Sequence, residues 1–251
     1  MKFTGSLVAL FASLSGTLTT TNFASLTALN LIGNNGAYTC HTQAQVSKSS
    51  SFKSVQILRF DYNALMMASS ATALAGLTVI AGIYFDMSDH STVLLTHTML
   101  SIAVGQFGAS CYVSLTIGNE VSSNSFITLN HCHQHSHTHA FYDPNTLADQ
   151  MGNFVIHTIV SMLRSTCSSG KQIIITESSW LLHSSSNRFA VASLGNEHSA
   201  LLNLNCACQD DCSVLVYSFE YDDQLWKEND NERSFGIFGK FNLNGDVFAP
   251  C

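Results

Sequence analysis

Apolar and polar positions along the 251-residue chain alternate between two regimes. Continuous apolar runs rich in β-branched and aromatic residues occur at 28–32, 55–60, 77–85, 112–117, 172–176 and 213–219. Strands that are apolar on both faces are typical of parallel sheets covered on both sides. Between these runs lie helical candidates at 42–53, 64–75, 92–104, 146–164 and 188–204. A repeated strand–helix order with short connections predicts an α/β domain built on a parallel sheet, open or closed into a barrel. No internal repeat or linker interrupts the order, so a single domain is expected.

Two apolar stretches call for a different kind of reading. Lys2 is followed by the apolar run 7–14 (LVALFASL) and then by small residues up to Ala24, the pattern of a cleaved signal peptide. The expected organisation is therefore a signal peptide over 1–24 and a mature domain over 25–251. Residues 64–85 form the second stretch, 22 residues without a charge and long enough to cross a bilayer. Its first half consists of helix formers, Gly76 breaks it, and LTVIAGIYF follows. A helix and then a buried strand are expected there, with no membrane span in the mature protein.

Only 11% of residues are charged, and ten basic against seventeen acidic residues give a net charge of −7. No basic run exists to neutralise phosphates, which excludes a nucleic-acid partner. Export permits disulfides among the eight cysteines, but their connectivity cannot be read from sequence. The polar end from Gly245 to Cys251 carries no lipid-anchor signal.

In parallel α/β folds the loops at the carboxyl ends of the strands build the site. Three of the six glutamates, Glu120, Glu177 and Glu220, directly follow apolar strand runs. Carboxylates so placed suit glycoside cleavage, in which one acid protonates the leaving oxygen and a second carboxylate attacks or activates water.

The segments IGNEV at 117–121, ITESSW at 175–180 and FEYDDQLWK at 219–227 resemble glycoside hydrolase family 17, the β-1,3-glucanases of plants, fungi and oomycetes. LRFDYN at 58–63 and HAFYD at 139–143 resemble the family's second- and sixth-strand motifs. The resemblance implies a (β/α)8 TIM-type barrel that cleaves or transfers β-1,3-linked glucan with retention of configuration. It makes Glu120 the general acid/base, Glu177 the nucleophile and Asn119 the ligand of the sugar 2-hydroxyl. Glu220 and Lys227 would line the pocket, and Tyr142, Trp180, Phe219 and Trp226 would stack on sugar faces. No metal or cofactor is implied. The expected partner is β-1,3-glucan and the expected location the extracellular space or cell wall; the oligomeric state stays open.

Ser179 and Leu181 stand where the family has Gly and Pro, so the loop after the nucleophile strand is expected to differ in shape. A larger departure is arithmetic. Only 16 residues separate Glu120 from His137, where the family places a helix, a strand and a second helix. A parallel crossover alone needs about a dozen residues. The barrel is therefore expected to be incomplete around its fourth and fifth units, with at most a short strand near 126–130. HCHQHSHTH at 131–139 occupies this region, and its alternating histidines give a metal-binding protein as a third reading. The others are a secreted glucan hydrolase or transglycosylase, and a catalytically impaired glucan-binding protein.

Overall fold

The computed structural model describes residues 28–29, 36–57, 64–83, 91–117, 134–166, 173–211, 213–223, 225, 229–248 and 251. The signal-peptide candidate, the 126–130 strand and the 58–63 motif lie outside them. The chain forms two compact units, one within Leu29–Asn119 and one within Glu120–Cys251.

The first unit runs β1 (Ala28–Leu29), α1 (Gly36–Ser49), β2 (Ser54–Ile57), α2 (Ala64–Ala75), β3 (Thr78–Ile83), α3 (Ser91–Phe107) and β4 (Tyr112–Ile117). Its sheet has the order β1-β2-β3-β4, and β2, β3 and β4 pair in parallel. Every residue of β2 is buried, as are Val79, Ile80 and Ala81 of β3, the burial on both faces that continuous apolar strands require. The apolar stretch 64–85 divides as its composition predicts. Gly76, at φ 68°, closes α2, with Leu77 N–H donating to the Thr72 carbonyl and Gly76 N–H to that of Ala73. A left-handed residue there satisfies the last carbonyls and turns the chain into β3, a conformation glycine adopts without a Cβ penalty. Among the described residues no helix is long and apolar enough to cross a membrane.

The second unit begins with β5 (Gln134–His137), followed by single helical turns at Ala140–Tyr142 and Ala148–Gln150. A helical run over 151–166 (α4) follows, widened to π-type turns over Phe154–Val160. Then come β6 (Ile173–Ser178), α5 (Leu194–Asp210) and β7 (Val214–Ser218). The strands pair in parallel in the order β5-β6-β7. Helix α5 starts six residues later than the apolar pattern suggests. Residues 187–190 close a small turn instead, and the Ser193 side chain accepts from Asn196 N–H to cap the helix. A disulfide joins Cys206 on α5 to Cys251. Cys208, two residues further along the helix, is a buried free thiol whose ionisation burial strongly opposes.

Helices α4 and α5 meet at Gly152, whose N–H donates to Asn203 Oδ1 at 2.7 Å. A Cβ at this position would lie 2.4 Å from the Asn203 carbonyl oxygen and 2.7 Å from the Ala207 Cβ. Neither neighbour can move without shifting α5. Gly152→Ala is therefore expected to lower stability by about 1–3 kcal/mol, read as a fall in the urea midpoint.

Candidate active site

Parallel pairing brings the carboxyl ends of β5, β6 and β7 to one edge. Glu177 is the fifth residue of β6, where the apolar run IIIT reaches the end of the strand. It is buried, and its backbone carbonyl accepts from Thr138 N–H at 2.8 Å, which extends the β5–β6 pairing past His137. Two residues beyond β5, His139 points its Nε2 at Glu177 Oε2 across 3.8 Å. The imidazole is walled by aromatic rings. Its centroid lies 4.9 Å from Phe235, 5.3 Å from Phe219 and 6.0 Å from Tyr142.

The third wall comes from β7. Phe219 N–H donates to the Ser178 carbonyl, and a cis peptide joins Phe219 to the fully buried Glu220. Glu220 is locked between strands of irregular chain: its N–H donates to the Phe235 carbonyl, and its own carbonyl accepts from Ile237 N–H. Asp223 fastens the same pairing by accepting from Gly236 N–H at 2.9 Å and from Lys240 Nζ at 2.7 Å.

Tyr142 is the exposed member of the group, with 46% of its surface open. Its hydroxyl reaches Glu232 Oε1 at 3.4 Å. The helical turn that carries it is held by Asn187, whose side-chain amide donates to the Phe141 and Tyr142 carbonyls at 3.3 and 3.1 Å. The edge therefore presents a buried carboxylate beside an imidazole, a second buried carboxylate, an aromatic wall and an open phenol.

The fold has known counterparts. The family 17 β-1,3-glucanosyltransferase of Rhizomucor miehei matches with TM-score 0.72 at 15% identity, over 86% of this chain and 92% of that one. An active-site mutant of that enzyme in complex with laminaritriose gives 0.71 at 14% identity over the same shares. In sequence, 149 residues are 26% identical to the Saccharomyces cerevisiae protein named "Probable family 17 glucosidase SCW10", covering 53% of this chain and 37% of that protein. The chain resembles glycoside hydrolase family 17.

Residues aligned to the "Probable beta-glucosidase btgE" of Aspergillus fumigatus cover 78% of this chain and 41% of that protein, at 25% identity. A 103-residue stretch is 29% identical to the cell surface mannoprotein MP65 of Candida albicans, 40% of this chain and 26% of that one. The chain thus spans well under half the length of these curated relatives. No protein-family model matches it. Its fold is the barrel type of the family 17 enzymes in an incomplete form, with seven strands among the described residues.

Of the residues that the family 17 motifs single out, Glu177, Glu220 and Tyr142 stand on the β5–β6–β7 edge. Asn119, Glu120, Trp226 and Lys227 lie outside the described residues. Trp180 has a different place from the one its motif suggests. It is fully buried, its indole N–H donates to the Val191 carbonyl at 2.9 Å, and its ring packs edge-on against Phe141 at 5.4 Å. A ring with no open surface cannot take up a sugar in this conformation, so Trp180 serves as core packing beneath the turn that bears Tyr142. Phe219, 5% exposed, packs the same way against His139 and Phe235.

Asn187, Glu232 and Phe235 join the site from outside the motifs, and His139, shared by HAFYD and the histidine tract, joins it beside Glu177. His139 lies within the HAFYD motif but has no role there without its neighbours. Glu232 meets Tyr142 across 90 residues of chain, a pairing no local pattern encodes. Of the histidine tract, residues 131–133 are outside the described part. Among the described residues no three metal-binding side chains stand together.

One acidic residue near the site is unusual. Glu197, in the first turn of α5, is fully buried, and neither carboxyl oxygen finds a hydrogen-bond partner among the described residues. Burial pushes its ionisation up to about 8, with Lys240 pulling the other way and Asp223 adding to the rise. The folded protein then keeps this proton over a range in which the unfolded chain, near 4.5, has lost it. Stability is lost wherever the native state binds more protons than the unfolded one and pH rises. Denaturation measured against pH should show stability falling by roughly 2–4 kcal/mol between about pH 5 and pH 8. Glu197→Gln, which carries no such proton, should flatten the profile.

Proposed function

We propose that this chain is the catalytic region of a secreted retaining glycosidase of the endo-1,3-β-glucosidase type, acting on β-1,3-glucan in cell-wall degradation or remodelling. The observation that carries the reading is the placement of Glu177. It is a buried carboxylate at the carboxyl end of a barrel strand, beside an imidazole and an aromatic wall, in a fold that matches a family 17 enzyme. Glu177 attacks the anomeric carbon while Glu120 protonates the departing glycosidic oxygen, giving a glycosyl-enzyme ester. Glu120 then deprotonates the incoming acceptor, which displaces Glu177 and restores the original configuration. Retention needs the two carboxyls about 5–5.5 Å apart.

Asn119 holds the 2-hydroxyl, and Tyr142, Trp226, Glu220 and Lys227 shape the sugar pocket. No metal or cofactor takes part. Residues 1–24 direct export and are removed, leaving 25–251 as the working domain in the extracellular space or wall.

A transglycosylase uses the same two glutamates, with a sugar hydroxyl replacing water as the acceptor. The likeness to a β-1,3-glucanosyltransferase supports this second reading. A product profile on a ladder of β-1,3-oligosaccharides separates the two. Hydrolysis gives only shorter chains with retained anomers, and transfer also gives longer ones. Retention on a laminarin column without any turnover would replace both with a glucan-binding protein.

A further inference from the structure

We propose that His139 is a positioning residue for Glu177, holding the nucleophile's carboxylate by donating towards it from Nε2. The inference rests on the reading of Glu177 as nucleophile and adds a residue that the motif comparison leaves without a role.

The geometry fixes where the imidazole proton sits. His139 Nδ1 is buried with no hydrogen-bond partner among the described residues, while Nε2 faces Glu177 Oε2 at 3.8 Å. A neutral imidazole carries one N–H, on either nitrogen. With the proton on Nδ1, a buried donor would face no acceptor and Nε2 would turn its lone pair to a carboxylate. With the proton on Nε2, the donor faces the carboxylate and only a bare lone pair stays buried. The second arrangement is favoured at both ends of the ring, because an unsatisfied buried donor is costly and a donor aimed at a carboxylate is charge-assisted.

The ring cannot easily turn away from this task. Phe235 lies tilted against it, and Phe219 and Tyr142 meet it edge to face. The wall also sets the local electrostatics. Two further acidic groups attach to this wall among the described residues: Glu220, which follows Phe219, and Glu232, which the Tyr142 hydroxyl meets. A polar donor inside an apolar box is therefore aimed at the carboxylate that must stay ionised to attack. At 3.8 Å the contact is longer than a hydrogen bond, and such contacts in ligand-free sites tighten once substrate is bound.

The test uses His139→Gln, His139→Asn and His139→Phe in the full chain, beside Glu177→Ala. Gln places an amide nitrogen where Nε2 stands, Asn reaches only the Nδ1 position, and Phe keeps the ring packing without a donor. Laminarin kinetics should show kcat retained within about tenfold in the Gln variant and lowered about 10²-fold in Asn and Phe, with KM little changed. The Glu177 carboxyl, followed by NMR with 13C-labelled glutamate, should titrate about one unit higher in the Phe variant, because the ionised form loses a donor. Should the Phe variant fail to fold, the Gln–Asn contrast decides.

Equal kcat in all three variants, or a Glu177 titration unmoved by loss of the donor, would overturn the proposal. If Glu177→Ala keeps full turnover, the nucleophile reading fails instead. The NMR shift then still reports whether the two side chains are coupled, so the two failures stay distinct.

Discussion

Glu177→Ala is expected to remove laminarin turnover by a factor on the order of 10³ or more, and external azide should restore release of a glycosyl product. Loss of a covalent nucleophile leaves only binding and electrostatic assistance, which explains the size of the effect. The rescue is the more informative half. A small anion that enters the space vacated by the carboxylate attacks the anomeric carbon once, from the same face as Glu177. One displacement in place of two inverts the configuration, so the product should be the α-glycosyl azide. The burial of Glu177 at the end of β6 favours this outcome, since alanine leaves a side-chain-sized space with fixed walls. A rescued product of retained configuration would show that another residue performs the first attack.

Glu120→Ala is expected to separate substrates by their leaving groups. On laminarin, where the departing sugar oxygen must be protonated, turnover should fall about 10²–10⁴-fold, the usual contribution of a positioned general acid. On an aryl glucoside with a strongly acidic phenol, the bond breaks without a proton, and the first step should be nearly unaffected. The second step still lacks its base, so the glycosyl-enzyme should accumulate and appear as a burst of phenol followed by slow steady-state release. Equal losses on the two substrates would mean that the roles of Glu120 and Glu177 have been exchanged or misassigned.

The parts of the fold legible in the sequence are those set by neighbouring residues. The bounds of helix α2 and strand β4 are legible from composition, because Gly76 punctuates the first and Tyr112, Val113, Thr116 and Ile117 give the second its β-branched and aromatic character. Glu177 was legible for the same reason: a carboxylate that ends a buried run has only the sheet edge to face. Glu197 was not. A glutamate in the first turn of a helix reads as a solvated residue favoured by the helix dipole. Its burial depends on chain some forty residues further on, in the neighbourhood of Lys240. The motif that contains Trp180 states which residue is present and not which side of it is covered. Its cover comes from the Phe141 turn and the Val191 carbonyl, neither adjacent to it in sequence.

The Cys206–Cys251 bond has a consequence for how the chain responds to proteolysis. The bond closes a loop of 45 residues that contains β7, Glu220 and the Phe235 segment, the third wall of the site. Leu225, 77% exposed, lies on the same loop and offers a cleavage point. A cut there divides the backbone but leaves both pieces covalently joined through α5, so the nicked molecule migrates as one species until it is reduced. Each new end also remains tethered close to its folded position, which keeps reassembly of the wall an intramolecular event.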